Sequence, residues 1–145
     1  MPNTAEFTLL NIVLLDYYIP QDEGFVITND EVMWNYSMRV NFSPFPAGKQ
    51  SIHIFMGFKL YYKNDAEKKT IAELEIDNHF TVKADVNLMG KLKILNEFLN
   101  ITNANIKGIY AAKAEGTSFA EVIPSPINFR QYDEGFKQEI TKGWK

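Results

Sequence analysis

Two neighbouring stretches of this chain alternate with period two, and they constrain its fold more than any other feature. From Ile52 to Tyr62 the even positions are Ile52, Ile54, Met56, Phe58, Leu60 and Tyr62, while the odd ones are His53, Phe55, Gly57, Lys59 and Tyr61. Successive strand side chains point to opposite faces, so this pattern describes a strand buried on one side and wetter on the other. Between Thr70 and Lys83 the pattern returns. Ala72, Leu74, Ile76, Phe80 and Val82 share one face; Glu73, Glu75, Asp77, His79 and Lys83 share the other. The polar, turn-prone stretch Lys63 to Lys69 separates the two runs. The reading is an antiparallel hairpin. If it turns about Ala66, His53 faces His79 across the strands.

Upstream, Trp34, Tyr36, Met38, Val40 and Phe42 alternate with Asn35, Ser37, Arg39 and Asn41, and Pro44, Pro46 and Gly48 end the run. The first run, Phe7 to Ile19, is apolar at almost every position and closes at Pro20. A strand covered on both faces, or one carrying a bulge, reads this way. The connection Gln21 to Glu31 is long and has an apolar centre at Phe25-Val26-Ile27. It predicts a crossover lying on other structure rather than a tight hairpin.

After Asp85 the period changes. Leu95, Leu99, Thr102, Ile106 and Ile109 form one stripe of a helix. Asn100, Thr102, Asn103, Asn105 and Gly108 are weak helix formers, which leaves a break near its middle open. Ala111, Ala112 and Ala114 favour continuation, and Gly116 is the expected stop. Val122 to Pro126 must be extended, and a short amphipathic helix is expected from Phe129. The predicted fold class is therefore α+β: a four-stranded antiparallel sheet, then a long helix and a short C-terminal helix packed on one face. With 145 residues, a single domain over 1–145 is expected, burying roughly two-thirds of its unfolded surface.

Composition narrows the chemistry. An apolar share of 46% with 23% charged residues is that of a globular chain. There is no cysteine, which excludes disulfides, thiolate chemistry and zinc–thiolate sites. A net charge of −3 and a pI near 5.4 argue against nucleic acid as a partner. The longest early apolar stretch, Leu9 to Leu15, is interrupted by Asn11, stopped by Asp16 and lacks the flanks of a secretory signal. A cytoplasmic location without membrane insertion is the expectation.

The sequence has no glycine-rich phosphate loop, no His-Glu-x-x-His and no Gly-x-Ser-x-Gly. His53 and His79 are its only histidines. They could form a proton shuttle, but no third ligand at suitable spacing accompanies them, so no metal site is expected. Glu73, Glu75 and Asp77 form an acidic row, which reads as a solvated face partly balanced by Lys59, as a docking surface for a basic partner, or as acid–base machinery. The aromatic share of 14% is high. Trp34, Tyr36, Phe42, Phe58 and Phe80 fall on core-type positions. Phe25, Phe119, Tyr132, Phe136 and Trp144 have no core period; they either line an apolar groove or pack the second helix.

With these elements placed, the chain resembles the SecB family of protein-export chaperones over approximately Phe7 to Phe136. Three stretches carry the resemblance: Phe7 to Asp16, an apolar strand closed by an acid; Ile52 to Val82, with Ala-x-Leu-Glu-Ile at Ala72 to Ile76; and Gly116-Thr117-Ser118-Phe119 followed by Pro126-Ile127-Asn128-Phe129. The resemblance implies a non-enzymatic, ATP-independent holdase that keeps unfolded or slowly folding polypeptides soluble. It implies no cofactor and a homo-oligomer, a tetramer built as a dimer of dimers. It further implies apolar client grooves, for which Phe25, Val26, Trp34, Phe119, Tyr132 and Phe136 are the candidates here. In export members an acidic sheet face docks on the translocase motor SecA. Asp16 and Glu75 match acidic positions of that face, whereas Glu73 stands where the family has a leucine and Pro20 where a second acid is expected. The sequence ends at Gly143-Trp144-Lys145 without the family's zinc-binding tail, which leaves SecA as a partner open. The alternative is an adaptor for a single client, as in toxin–antitoxin-associated relatives. A small-ligand enzyme using His53 and His79 is the third reading.

Overall fold

A computed structural model of the chain describes residues 7–20, 27–83 and 87–122. Its four strands are β1 (Phe7–Tyr18), β2 (Val32–Phe45), β3 (Lys49–Tyr62) and β4 (Ala72–Lys83), followed by one long helix, α1 (Leu88–Ala114). All strand pairs are antiparallel, in the order β1-β4-β3-β2. The α+β class expected from the sequence is thus what the chain adopts; the expected short helix from Phe129 lies outside the described residues.

Both hairpins follow from local chemistry. β2 turns into β3 through Pro46-Ala47-Gly48, where Ala47 and Gly48 both take positive φ (65° and 70°). Gly48 tolerates that backbone without strain, which explains a glycine at this corner. β3 turns into β4 around Asp65, whose carboxylate accepts from the Glu67 and Lys69 amides at 3.0 and 3.1 Å. The register pairs His53 with His79 and Lys59 with Glu73, as the alternation predicts.

β1 and β2 occupy opposite edges of the sheet, so they do not form a hairpin. The described end of their connection is anchored. Ile27 is buried, and its amide donates to the Ser118 carbonyl at 3.0 Å beside the end of α1.

One face of the sheet carries the core. Ile52, Ile54, Met56, Phe58 and Leu60 of β3 and Ala72, Leu74, Ile76, Phe80 and Val82 of β4 are buried against Leu95, Phe98, Leu99, Ile106 and Tyr110 of α1. Phe80 and Phe98 stack with centroids 4.0 Å apart. Each fully buried side chain of this size stabilises by about 1.5–3 kcal/mol. That core holds α1 as one continuous 27-residue helix. Its weak formers do not break it, because packing of an apolar face outweighs small propensity differences. Asn87 caps the start by accepting from the Gly90 amide at 2.8 Å. At the end, Gly116 takes φ +78°, the left-handed stop expected of it.

One polar pair lies inside this layer. Asn78, fully buried, donates to Thr102 Oγ1 at 3.1 Å, and Thr102 donates to the Phe98 carbonyl at 2.8 Å. These bonds tie α1 to β4 at a set position along the helix.

Candidate functional site

The opposite, outer face of the sheet gathers the charged candidates. The registers place Asp16, Glu75, Gly57 and Ser37 in one row across the four strands, and Tyr18, Glu73, Lys59 and Asn35 in the next. Gly57 contributes no side chain, so the face sinks there into a hollow of about 280 Å³. Asp16, Glu73, Glu75, Lys59, Asn35, Ser37 and Tyr61 are among its lining residues. A Cβ at Gly57 would meet the Leu74 carbonyl at 3.1 Å and Glu75 Cβ at 3.2 Å. Asp16, Glu73 and Glu75, named from the sequence for partner docking, therefore share one depression.

Its electrostatics are those of crowded carboxylates. Burial first, then the charge and hydrogen bond of the Asp16 carboxyl, and also Glu75, push the Glu73 carboxyl above its usual range; Lys59 opposes them. Crowding of this kind favours the protonated form of Glu73 or a nearby positive charge. A lysine or arginine side chain of a partner would offset the carboxylate repulsion.

A second cluster lies on the same face. His53 and His79 stack with centroids 4.0 Å apart and planes within 14°. His53 Nδ1 sits 3.0 Å from both Asp77 carboxylate oxygens, and His79 Nε2 lies 2.6 Å from Ser51 Oγ. Stacked rings direct their nitrogens along parallel planes, which do not converge on one ion. Among the described residues no group of three or more metal-binding side chains occurs.

The apolar candidates divide. Trp34 is half-buried on β2, stacked with Tyr36 (6.1 Å) and edge-on to Phe58 (4.8 Å) and Tyr110 (5.5 Å). Phe119 is buried within the core cluster, and its carbonyl accepts from the Tyr110 hydroxyl at 3.1 Å. Tyr110 thus links the two; the sequence stripe ended on Ile109 instead, which is only half-buried while Tyr110 is buried. Burial lifts the Tyr110 hydroxyl well above the usual phenol range. The Gly116 to Phe119 motif builds the turn after α1: Thr117 Oγ1 donates to the Ala114 carbonyl and accepts from the Phe119 amide. Phe25, Val26, Tyr132 and Phe136 lie outside the described residues.

Sequence reasoning did not anticipate how β1 is exposed. Leu9, Leu10, Ile12, Val13, Leu14, Leu15, Tyr17 and Tyr18 are all exposed, and they make up most of the large exposed apolar side chains among the described residues. Bulges at Leu10 and Leu15 reset which side chains face which way. Leu9, Ile12, Leu14 and Tyr17 register with the helix-side residues of β4, whereas Asn11, Val13, Asp16 and Tyr18 register with its outer face. The bulge foreseen for the first run is present, but α1 lies mainly over β3 and β4; it reaches β1 through Phe98 against Phe7 and Lys113 over the Tyr17 ring, and most of the apolar side chains of β1 stay exposed.

No family model and no curated protein matches the sequence. Among solved structures the chain is similar to the Mycobacterium tuberculosis SecB-like chaperone Rv1957 in complex with a ChAD peptide from the Rv1956 HigA1 antitoxin. The two share 9% sequence identity over 88% of this chain and 91% of that one, with a TM-score of 0.47.

Proposed function

We propose that this chain is an ATP-independent, non-enzymatic chaperone of the cytoplasm that holds unfolded or slowly folding polypeptides. The observation that carries the reading is β1. An edge strand whose exposed side chains are apolar toward both faces of the sheet is a surface made for another polypeptide chain. Among the described residues no strand pairs with its outer edge; an edge of this kind offers main-chain hydrogen bonds, and its side chains offer burial. Burial is non-directional and contributes about 25 cal/mol per Å² of apolar area, so such a surface accepts many sequences. The half-buried stack of Trp34 on Tyr36 adds rigid aromatic area on the helix side of β2.

We further propose a homo-oligomer, a dimer of dimers, that leaves the apolar side chains of β1 open to clients, with the Trp34 side as a second contact. Titration of a permanently unfolded protein into this one by calorimetry, with sedimentation of the free and loaded species, tests both parts. Binding to the unfolded chain and not to its folded form, by an oligomer, is the expected result. Binding by a monomer would remove the oligomer from the proposal. Failure with every unfolded protein and success with one partner would transfer the reading to a single-client adaptor.

The acidic hollow supports a further part of the proposal, docking of a basic partner such as SecA through Asp16, Glu73 and Glu75. Glu73→Lys with Glu75→Lys should abolish docking and leave client binding intact. Docking that persists in that variant would remove the hollow from the account.

A further inference from the structure

The histidine cluster stands apart from the apolar surfaces and from the acidic hollow. We propose that stacked His53 and His79, with Asp77 on one ring and Ser51 on the other, form a proton-sensitive lock on the pairing of β3 with β4. The lock accepts one proton and opens when it is made to take a second.

The argument begins with counter-charge. Asp77 is buried to 9% exposure and turns both carboxylate oxygens to His53 Nδ1, each at 3.0 Å. It can therefore offset one imidazolium. Among the described residues no carboxylate faces His79 in this way; its Nε2 meets the Ser51 hydroxyl, on a residue itself 3% exposed. A hydroxyl can donate to a neutral ring or accept from a charged one, but it brings no charge.

The stack supplies the coupling. One imidazolium over a neutral ring is attracted to it. Two imidazoliums at a 4.0 Å centroid distance repel even through water. Groups this close titrate as a pair, in separated steps.

Among the described residues the surroundings do not relieve the second charge. In the row of the pair, β2 contributes Asn41 and β1 contributes Asn11, both neutral. In the adjoining row Arg39 lies over the Phe55 ring at 4.3 Å, one strand beyond Phe55 from Asp77. The row on the other side holds only hydroxyls, Ser43, Ser51, Thr81 and Thr8, and beyond it stand Lys49 and Lys83. The nearest further acid along β4 is Glu75, whose row holds the acidic hollow. Phe45 closes the end of the stack, edge-on to His79 at 6.4 Å.

Burial and the charge of His53 hold the His79 ring below its ordinary 6.5, with Asp77 opposing. A histidine depressed in the folded state contributes stability that is full above the unfolded value. That stability is lost as pH falls through the folded value. The lock is therefore closed at neutral pH and strained by acid. The strain falls where the rings join, at His53 and His79, directly opposite in the register.

The test is a pH titration of the whole chain by NMR, reading both imidazole rings and the exchange protection of the β3 and β4 amides, corrected for intrinsic rates. Two separated ring titrations are expected, with loss of protection around residues 51–55 and 77–81 during the second. His53→Gln should shift the His79 midpoint upward, and His79→Gln should abolish the acid-induced loss of protection. Independent titration of the two rings would overturn the proposal, as would an unchanged acid response in His79→Gln. Should either variant fail to fold, the wild-type titration alone decides, through the separation of the two steps and its coincidence with the loss of protection.

Discussion

Glu73 concentrates the cost of the outer face in one side chain. Its carboxyl is raised above the ordinary 4.5 by burial, by Asp16 and by Glu75. For an acid raised in the folded state, the penalty is absent when the group is protonated in both states. It grows as pH rises through the folded value and is complete above it. Glu73→Gln should therefore unfold at a higher temperature than the parent near neutrality, with the gap closing as pH falls toward 4.5. Thermal melts across that range check this; a gap that does not change with pH would mean that carboxylate crowding is not its source. A residue that destabilises its own fold but borders a hollow is consistent with a binding role. The presence of Glu73 beside Lys59 was legible from the alternation. The depth of the hollow was not, because it comes from the missing side chain of Gly57 and from Asp16, which a bulge in β1 brings to the outer face.

At the scale of elements, legibility followed the strength of the local pattern. β3 and β4 read correctly down to the facing histidines, since a one-residue slip would have exposed every apolar side chain of both strands. β1 read ambiguously. A mostly apolar run looks the same whether it is covered or awaits a partner, and the placement of α1 mainly over β3 and β4 separates the two. The continuity of α1 was equally hidden. Asn100, Thr102, Asn103, Asn105 and Gly108 argue locally for a break, but Phe98, Leu99, Thr102 and Ile106 are buried and hold the helix through that stretch. Gly108 is exposed, and a Cβ there meets nothing within 4 Å. Gly108→Ala should consequently stabilise the protein by about 0.5–1 kcal/mol, the helical difference between the two residues. Denaturant unfolding reads it directly, and destabilisation would show that the surface of α1 at this point is in use by a partner or another copy.

The whole molecule is a layered fold with unequal sides. Its core is centred on α1, β3 and β4, with Ile19, Ile27, Val32, Phe119 and Val122 completing it, while β1 presents apolar side chains to both faces at an edge that no other described strand pairs with. A monomer seldom leaves a surface of that kind idle. The outer face combines an acidic hollow with a coupled histidine pair, so charge and pH act on one side of the sheet while burial acts at its edge. Which polypeptides are held is not legible at this scale, because apolar burial selects by area rather than by sequence. The measurement that tests the central claim most directly is suppression of aggregation. Chemically unfolded proteins are diluted into buffer containing this protein without nucleotide, and light scattering is followed. The account predicts suppression at near-stoichiometric amounts for several unrelated proteins. Unchanged scattering across all of them would contradict it.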